Sequence, residues 1–273
     1  MTWDMLRKFA ETELRPQARK TESDGRPSDE LIEKIKSLDL ISLIIPEAYG
    51  GVGAGYLPLC LVAQELGGVL AAVPFSSSVY LATEAITCFG STDQKERYLP
   101  KLASGEWVGT LAVSEGPLAP SPTNLTVVRS GDTLSGKKLV VPHGLAADFA
   151  VVLVTSDAGT DLVLVGFEGV ERVPIEVVDP SIAAASLHFE QAQCEGLGNP
   201  GEGWAMLETL QHRAAVLYAF EQIGGAEQAL NMAVAYAKER FAFGRPIGSF
   251  QALKHMMADM YVALKLAESN AYY

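Results

Sequence analysis

Two long helical stretches near the carboxyl end, joined by a tight turn, constrain this chain most. The first reads from Trp204 to about Phe241, and the second from Phe250 to Tyr273. The second carries Leu253, Met256, Met257, Met260, Leu264 and Ala267 on one face. At about 1.5 Å per residue it spans about 36 Å. Two helices joined by a turn cannot wrap an apolar core alone, so their inner faces need partners. The candidates are the first part of the chain, further residues, or another chain. Gly224-Gly225 lies inside the first stretch and costs about 1 kcal/mol per glycine relative to alanine. A pair placed at such a cost marks close helix packing.

The texture elsewhere divides the chain into residues 1–106, 107–198 and 199–273. The first part reads as helices. Leu6, Phe9, Ala10 and Leu14 form one apolar stripe. Pro27-Ser28-Asp29 opens a second helix, with Leu31, Ile32, Ile35 and Leu38 inward. Leu57–Leu66 and Phe75–Phe89 follow, and Gly90 suits the left-handed position after a helix. Ser91-Thr92-Asp93-Gln94 has the spacing of a capping box for a helix running towards Ala103. From Trp107 to about 195 the apolar residues are β-branched and the segments short. Val127-Val128, Leu139–Val141, Ala150–Val154, Leu162–Phe167 and Val173–Val178 read as strands. No helix-length pattern separates them, which disfavours a βαβ sheet and favours a small antiparallel β-domain. The fold class is therefore α+β: an amino-terminal helical domain, a central antiparallel β-domain, and the start of a carboxyl-terminal helical bundle.

The net charge of −12 argues against a nucleic-acid binder, which needs a basic face. Cys60, Cys88 and Cys194 lie far apart, with no CxxC or Cys/His metal spacing. Buried thiols in a reducing, cytoplasmic setting are the expectation. The opening Met1-Thr2-Trp3-Asp4-Met5-Leu6-Arg7-Lys8 lacks a signal-peptide core, and no run of 18 apolar residues is free of charges and breakers.

The turn between the long helices carries the most specific pattern. It reads Tyr236-Ala-Lys-Glu-Arg240-Phe-Ala-Phe243-Gly244-Arg245-Pro246-Ile247, then Phe250-Gln251, Lys254 and Ala258-Asp259-Met260. With Pro46-Glu47-Ala48-Tyr49-Gly50-Gly51 and the segment Gly90 to Leu102, it resembles the acyl-CoA dehydrogenase family, in that family's order and across nearly the whole chain. The resemblance implies a helical domain, a β-domain and a four-helix carboxyl-terminal bundle, with FAD between the last two and partly at a subunit interface. It implies an acyl-CoA substrate. A carboxylate takes the α-proton while the β-hydride goes to the flavin.

Residue by residue, Arg240 matches the arginine that pairs with the FAD diphosphate of a neighbouring subunit. A planar guanidinium fork suits that group. Phe243 matches the aromatic packed near the same end, and Gln251 the glutamine that bonds the adenine or diphosphate region. A surface ion pair for Arg240, with Glu239 or another carboxylate, and plain core packing for Phe243 are the competing readings. Ser114 keeps a hydroxyl where the family's threonine reaches the flavin ring. Around it the resemblance departs. Gly116-Pro117-Leu118-Ala119-Pro120 replaces a Gly-Ala-Gly-Ser turn, and prolines lack the N–H such a turn donates. Val140 stands at the flavin-packing aromatic, and Pro142 at the threonine bonding the reactive edge.

The catalytic residue is unknown. In some members the base lies near the start of the first long helix, where this chain reads Leu210-Gln211-His212-Arg213-Ala214, without a carboxylate. Glu208 and Glu221 are the nearest acids. Glu221 sits in apolar surroundings where burial can raise a carboxyl pKa, although a packing role fits it too. These departures fit a subunit that supplies the diphosphate clamp and interface to a second acyl-CoA dehydrogenase-type subunit, as the resemblance to bacterial heterotetramers acting on steroid side chains implies. A homotetrameric enzyme with a divergent pocket, or a non-catalytic acyl-CoA or partner-binding scaffold, are the alternatives.

Overall fold

The computed structural model describes residues 3–24 and 26–273, with Glu22 described by its backbone alone. The first two residues of the opening segment lie outside it. The α-helices are α1 (Trp3–Phe9), α2 (Arg15–Asp24), α3 (Asp29–Ser37), α4 (Tyr56–Val69), α5 (Glu84–Phe89), α6 (Thr92–Ala103), α7 (Gly203–Glu239) and α8 (Gln251–Tyr272). Wider π-helical turns at Ala10–Leu14 and Phe75–Thr83 lead into α2 and α5.

The chain forms two compact units: residues 1–18, 57–71 and 215–273, and residues 19–56 and 72–214. In the first, α1, α4, most of α7, and α8 are grouped. Helices from the start of the chain therefore belong with the long carboxyl-terminal pair. Leu6, Ala10 and Leu14 are buried there, as are Leu59, Ala63, Leu66, Leu217, Phe220 and Ile223. The helices α4 and α7 cross where both are stripped of side chains. A Cβ at Gly224 would lie 1.8 Å from the Gln64 carbonyl oxygen, and one at Gly67 would lie 2.0 Å from that of Glu221. The glycine pair read in the sequence is thus half of a reciprocal contact. On α8, Leu264 is buried while Met256, Met260 and Ala267 are exposed, so the covered stripe is narrower than the sequence suggests.

The second unit holds an eight-stranded sheet: β1 (Gly109–Ala112), β2 (Val128–Ser130), β3 (Thr133–Val141), β4 (Phe149–Ser156), β5 (Gly159–Gly166), β6 (Glu171–Pro174), β7 (Ala185–Gln193) and β8 (Glu195–Leu197). The order is β6-β7-β3-β2-β4-β5-β8, with β1 beside β4. The pairings are antiparallel except those of β4 with β1 and β2. Strands β4 and β5 bury both faces. Phe149, Val151, Leu153, Leu162 and Leu164 join a core with Leu99, Leu102, Leu207 and Leu210. Ala150, Val152, Val154, Val163 and Val165 join another with Val127, Leu134, Leu187 and Phe189. A strand between two cores reads as an unbroken apolar run, as these do.

The capping box at Ser91 forms as the spacing predicts. Gly90 does not adopt the left-handed position: its φ is −65°. A Cβ there would lie 2.5 Å from the Ile86 carbonyl oxygen, so close approach explains the glycine.

Candidate functional site

The turn between the long helices is built by local chemistry. Arg240 follows the last residue of α7; its N–H donates to the Tyr236 carbonyl at 2.8 Å, and its own carbonyl accepts from Ile247 N–H at 2.7 Å. Between them, β9 (Phe241–Ala242) and β10 (Arg245–Pro246) form a two-residue hairpin with Phe243 and Gly244 at its tip, φ +53° and +79°. Two successive positive φ values define a type I′ turn, which favours Asn or Asp before Gly. A bulky aromatic held there is strained. Phe243 is 94% exposed within this chain. Its ring meets the edge of Phe250 at 6.2 Å between centroids, and the Arg245 guanidinium lies 4.2 Å from the Phe250 centroid.

Arg240 is exposed, and no described carboxylate pairs with it, so the ion pair weighed against its functional reading does not form. Gln251 is also exposed and is the first residue of α8. Phe250 gives α8 no side-chain cap, and the first turn holds no acid. Such an uncapped end presents N–H donors and a partial positive charge. Arg240, Phe243 and Gln251 thus belong to one short segment, with exposed side chains. Ser114 lies in the second unit.

Ser114 is half-buried, and its carbonyl accepts from Leu139 N–H at 2.7 Å. Its neighbours are fastened by Lys138, which is fully buried. Lys138 Nζ donates to the Val113 carbonyl at 3.0 Å and to Glu115 Oε1 at 2.6 Å. Glu115 also accepts from Thr126 Oγ1 at 2.7 Å and Val127 N–H at 3.3 Å. Burial pushes the Lys138 pKa down, against the pull of Glu115. Burial works to raise that of Glu115, but its bonds from Lys138 and Thr126 outweigh this and hold it below the usual range.

Val140 lies at the end of β3, and Pro142 just past it. The register slips between Lys138 and Val141, and Val140 takes φ +52° with its side chain about half exposed. Pro142 offers a carbonyl, which accepts from Thr110 Oγ1 at 2.6 Å. His143 is buried, with Nδ1 3.0 Å from Ser77 Oγ. Burial pushes its pKa down to about 4.

Among the base candidates, Glu208 is exposed and accepts from Trp204 Nε1 at 2.9 Å, His212 is exposed, and Glu221 is half-buried. The carboxylate that meets the 210–214 stretch is one the sequence did not suggest. Glu84, at the start of α5, is buried, accepts from Arg213 Nη1, and receives Cys88 Sγ at 3.2 Å. Tyr56 lies beside this pair, and burial together with Glu84 pushes its hydroxyl pKa well up. Lys138 and Glu84 were missed because their partners lie 23 and 129 residues away. For Glu84 the available signal was a lone charge in an otherwise uncharged helix; Lys138, beside Lys137 in β3, offered none.

In chain order, helices, a mostly antiparallel sheet, then two long helices joined by an arginine-bearing hairpin agree with the layout that the sequence resemblance implies. The chain matches the acyl-CoA dehydrogenase N-terminal domain over residues 1–106 and the acyl-CoA dehydrogenase C-terminal domain over residues 201–273. It is 30% identical to an acyl-CoA dehydrogenase of Bacillus subtilis (strain 168), over 98% of this chain and 76% of that protein. The acyl-CoA dehydrogenase of Geobacillus kaustophilus matches its fold with a TM-score of 0.90 at 25% identity, covering 98% of this chain and 76% of that one. A variant of the Tcur3481-Tcur3483 steroid ACAD matches with a TM-score of 0.87 at 29% identity, covering 99% and 74%. This chain belongs to the acyl-CoA dehydrogenase family, whose members are FAD-dependent oxidoreductases of acyl-CoA thioesters. No helix among the described residues is long and apolar enough to cross a membrane.

Proposed function

We propose that this chain is a subunit of an acyl-CoA dehydrogenase that lends the FAD diphosphate clamp and an interface to a second, related subunit. One contrast carries the reading. The diphosphate-side residues stand ready, while the positions facing the flavin ring are altered. Arg240 is exposed without a described partner beside the uncapped end of α8, and both suit a diphosphate. Val140 and Pro142 do not fit the ring: a valine supplies no aromatic face, and a proline has neither hydroxyl nor N–H.

In this arrangement Arg240 binds phosphate oxygens through its fork. Gln251 adds amide hydrogen bonds, and Phe243 packs its exposed ring against the adenine end. FAD, when bound, supplies the acceptor for the hydride. Proton abstraction from the acyl-CoA falls to a carboxylate of the partner. The likeness to a steroid ACAD supports a bulky acyl group as substrate.

Co-expression with the partner tests this. The chain purified alone is expected to show little absorbance in the visible flavin band and no turnover, and the complex to be yellow and active. Tight FAD and full activity in the chain alone overturn the proposal in favour of a homotetrameric enzyme. A colourless, inactive complex that still binds acyl-CoA favours a scaffold.

A further inference from the structure

The first unit contains a polar cavity of about 120 Å³, lined by Arg7, Glu11, Gln64, Glu65, Glu227 and Asn231 among others. It lies on the α4–α7 side where the glycines cross, since Gly68 and Gly224 also line it. Gln64 is only 5% exposed, and its Oε1 accepts no hydrogen bond from a described residue. Its Nε2 faces Glu227 Oε2 at 3.5 Å, so the flipped amide would set two acceptors against each other. A buried acceptor left unmet costs about 1–3 kcal/mol.

The charges leave one carboxylate over. Arg15 binds both oxygens of Glu11, at 2.6 and 2.8 Å. Arg7 Nε donates to Glu65 Oε1 at 3.1 Å. Glu227 pairs with no described cation at salt-bridge distance; Lys265 lies within electrostatic range of it but is already paired with Glu268 at 2.6 Å. Burial raises the pKa of Glu65; Arg7 opposes this, and nearby Glu227 and Glu11 add to it. A cation would relieve all three conditions: the unmet amide oxygen, the surplus charge and the carboxylate repulsion. No group of three or more His, Cys, Asp or Glu among the described residues has metal-binding spacing.

We propose that this cavity binds a primary ammonium group, as the ammonium ion or a small alkylamine. Its N–H donors would go to Gln64 Oε1, Glu65 and Glu227, and its single charge matches the surplus one. At about 30 Å³ per water, the volume also leaves room for bridging waters. The site is independent of the flavin clamp.

The test is thermal denaturation and calorimetric titration of the full chain with ammonium chloride and methylammonium chloride. Sodium chloride and tetramethylammonium chloride, which has no N–H donor, serve as controls at equal ionic strength. The expected result is a saturable stabilisation by the first two salts alone. The isosteric Glu227→Gln should weaken binding at least about tenfold, the value of one charge-assisted hydrogen bond. Gln64→Leu, which removes one of the three acceptors, should narrow the preference for methylammonium over tetramethylammonium. Equal responses to all four salts, or unchanged binding in a Glu227→Gln variant with native circular dichroism, overturn the proposal; that second variant decides the matter if Gln64→Leu fails to fold.

Discussion

Replacing Gly224 by alanine, and separately its neighbour Gly225, gives opposite outcomes from one local geometry. At Gly224 the added Cβ would lie 1.8 Å from the Gln64 carbonyl oxygen and 2.9 Å from Gly68 N. Both are backbone atoms that no rotamer change can move, so the helices must part by more than about 1 Å to reach ordinary contact distance. Overpacking costs about 1–3 kcal/mol, the upper end applying here because backbone atoms form the clash, and the gain in helix propensity is about 1 kcal/mol. A net loss of about 2 kcal/mol follows for Gly224→Ala. At Gly225 the nearest atom is the Gly67 carbonyl oxygen at 3.6 Å, an ordinary contact. Gly225→Ala should therefore gain about 0.5–1 kcal/mol. The two variants should melt roughly 5–12 °C apart, at about 2–4 °C per kcal/mol. Thermal denaturation followed by far-ultraviolet circular dichroism reads this directly. Equal melting temperatures would refute the close crossing of α4 and α7.

Three further outcomes follow from the site geometry. Lys138→Met leaves Glu115 without its buried cation and should cost about 3 kcal/mol in urea denaturation, much of it recovered by adding Glu115→Gln. His143 has a depressed folded pKa of about 4 against an ordinary 6.5, so its stabilising contribution is complete above 6.5 and is lost as pH falls towards 4. The loss amounts to roughly 3 kcal/mol, and His143→Gln should flatten the urea midpoint between pH 7.5 and 5. Phe243→Gly should stabilise the isolated chain by about 1 kcal/mol, by relieving the left-handed strain, while weakening FAD retention in the complex. A variant that gains no stability would show that the turn is unstrained.

Local signals were legible in the sequence. The Ser91 box is a contact between residues three apart, and the α7 pattern persists over ten turns, so neighbours alone define both. The hairpin at Phe243-Gly244 was legible as a tight turn for the same reason. Strands β1, β7 and β8 were not: Gly109–Ala112 is short, and Ala185–Gln193 alternates around polar His188, Glu190 and Gln191. Gly90 misled because a glycine after a helix has two explanations, positive φ or close approach, and sequence supports both. The Lys138–Glu115 and Glu84–Arg213 pairs depend on which strands and helices become neighbours, as does the grouping of α1 and α4 with the long helices. Arg240, Phe243 and Gln251 were legible as one exposed group because a single short segment carries them all.

The proposed clamp is tested most directly by Arg240→Ala in the FAD-loaded complex with the proposed partner subunit, reading the FAD dissociation constant by flavin fluorescence. Loss of a charge-assisted contact to phosphate is worth about 1.5–3 kcal/mol, so affinity should fall roughly tenfold to a hundredfold, with partial rescue by Arg240→Lys. An unchanged dissociation constant in a fully assembled complex would contradict the assignment of Arg240 to the cofactor.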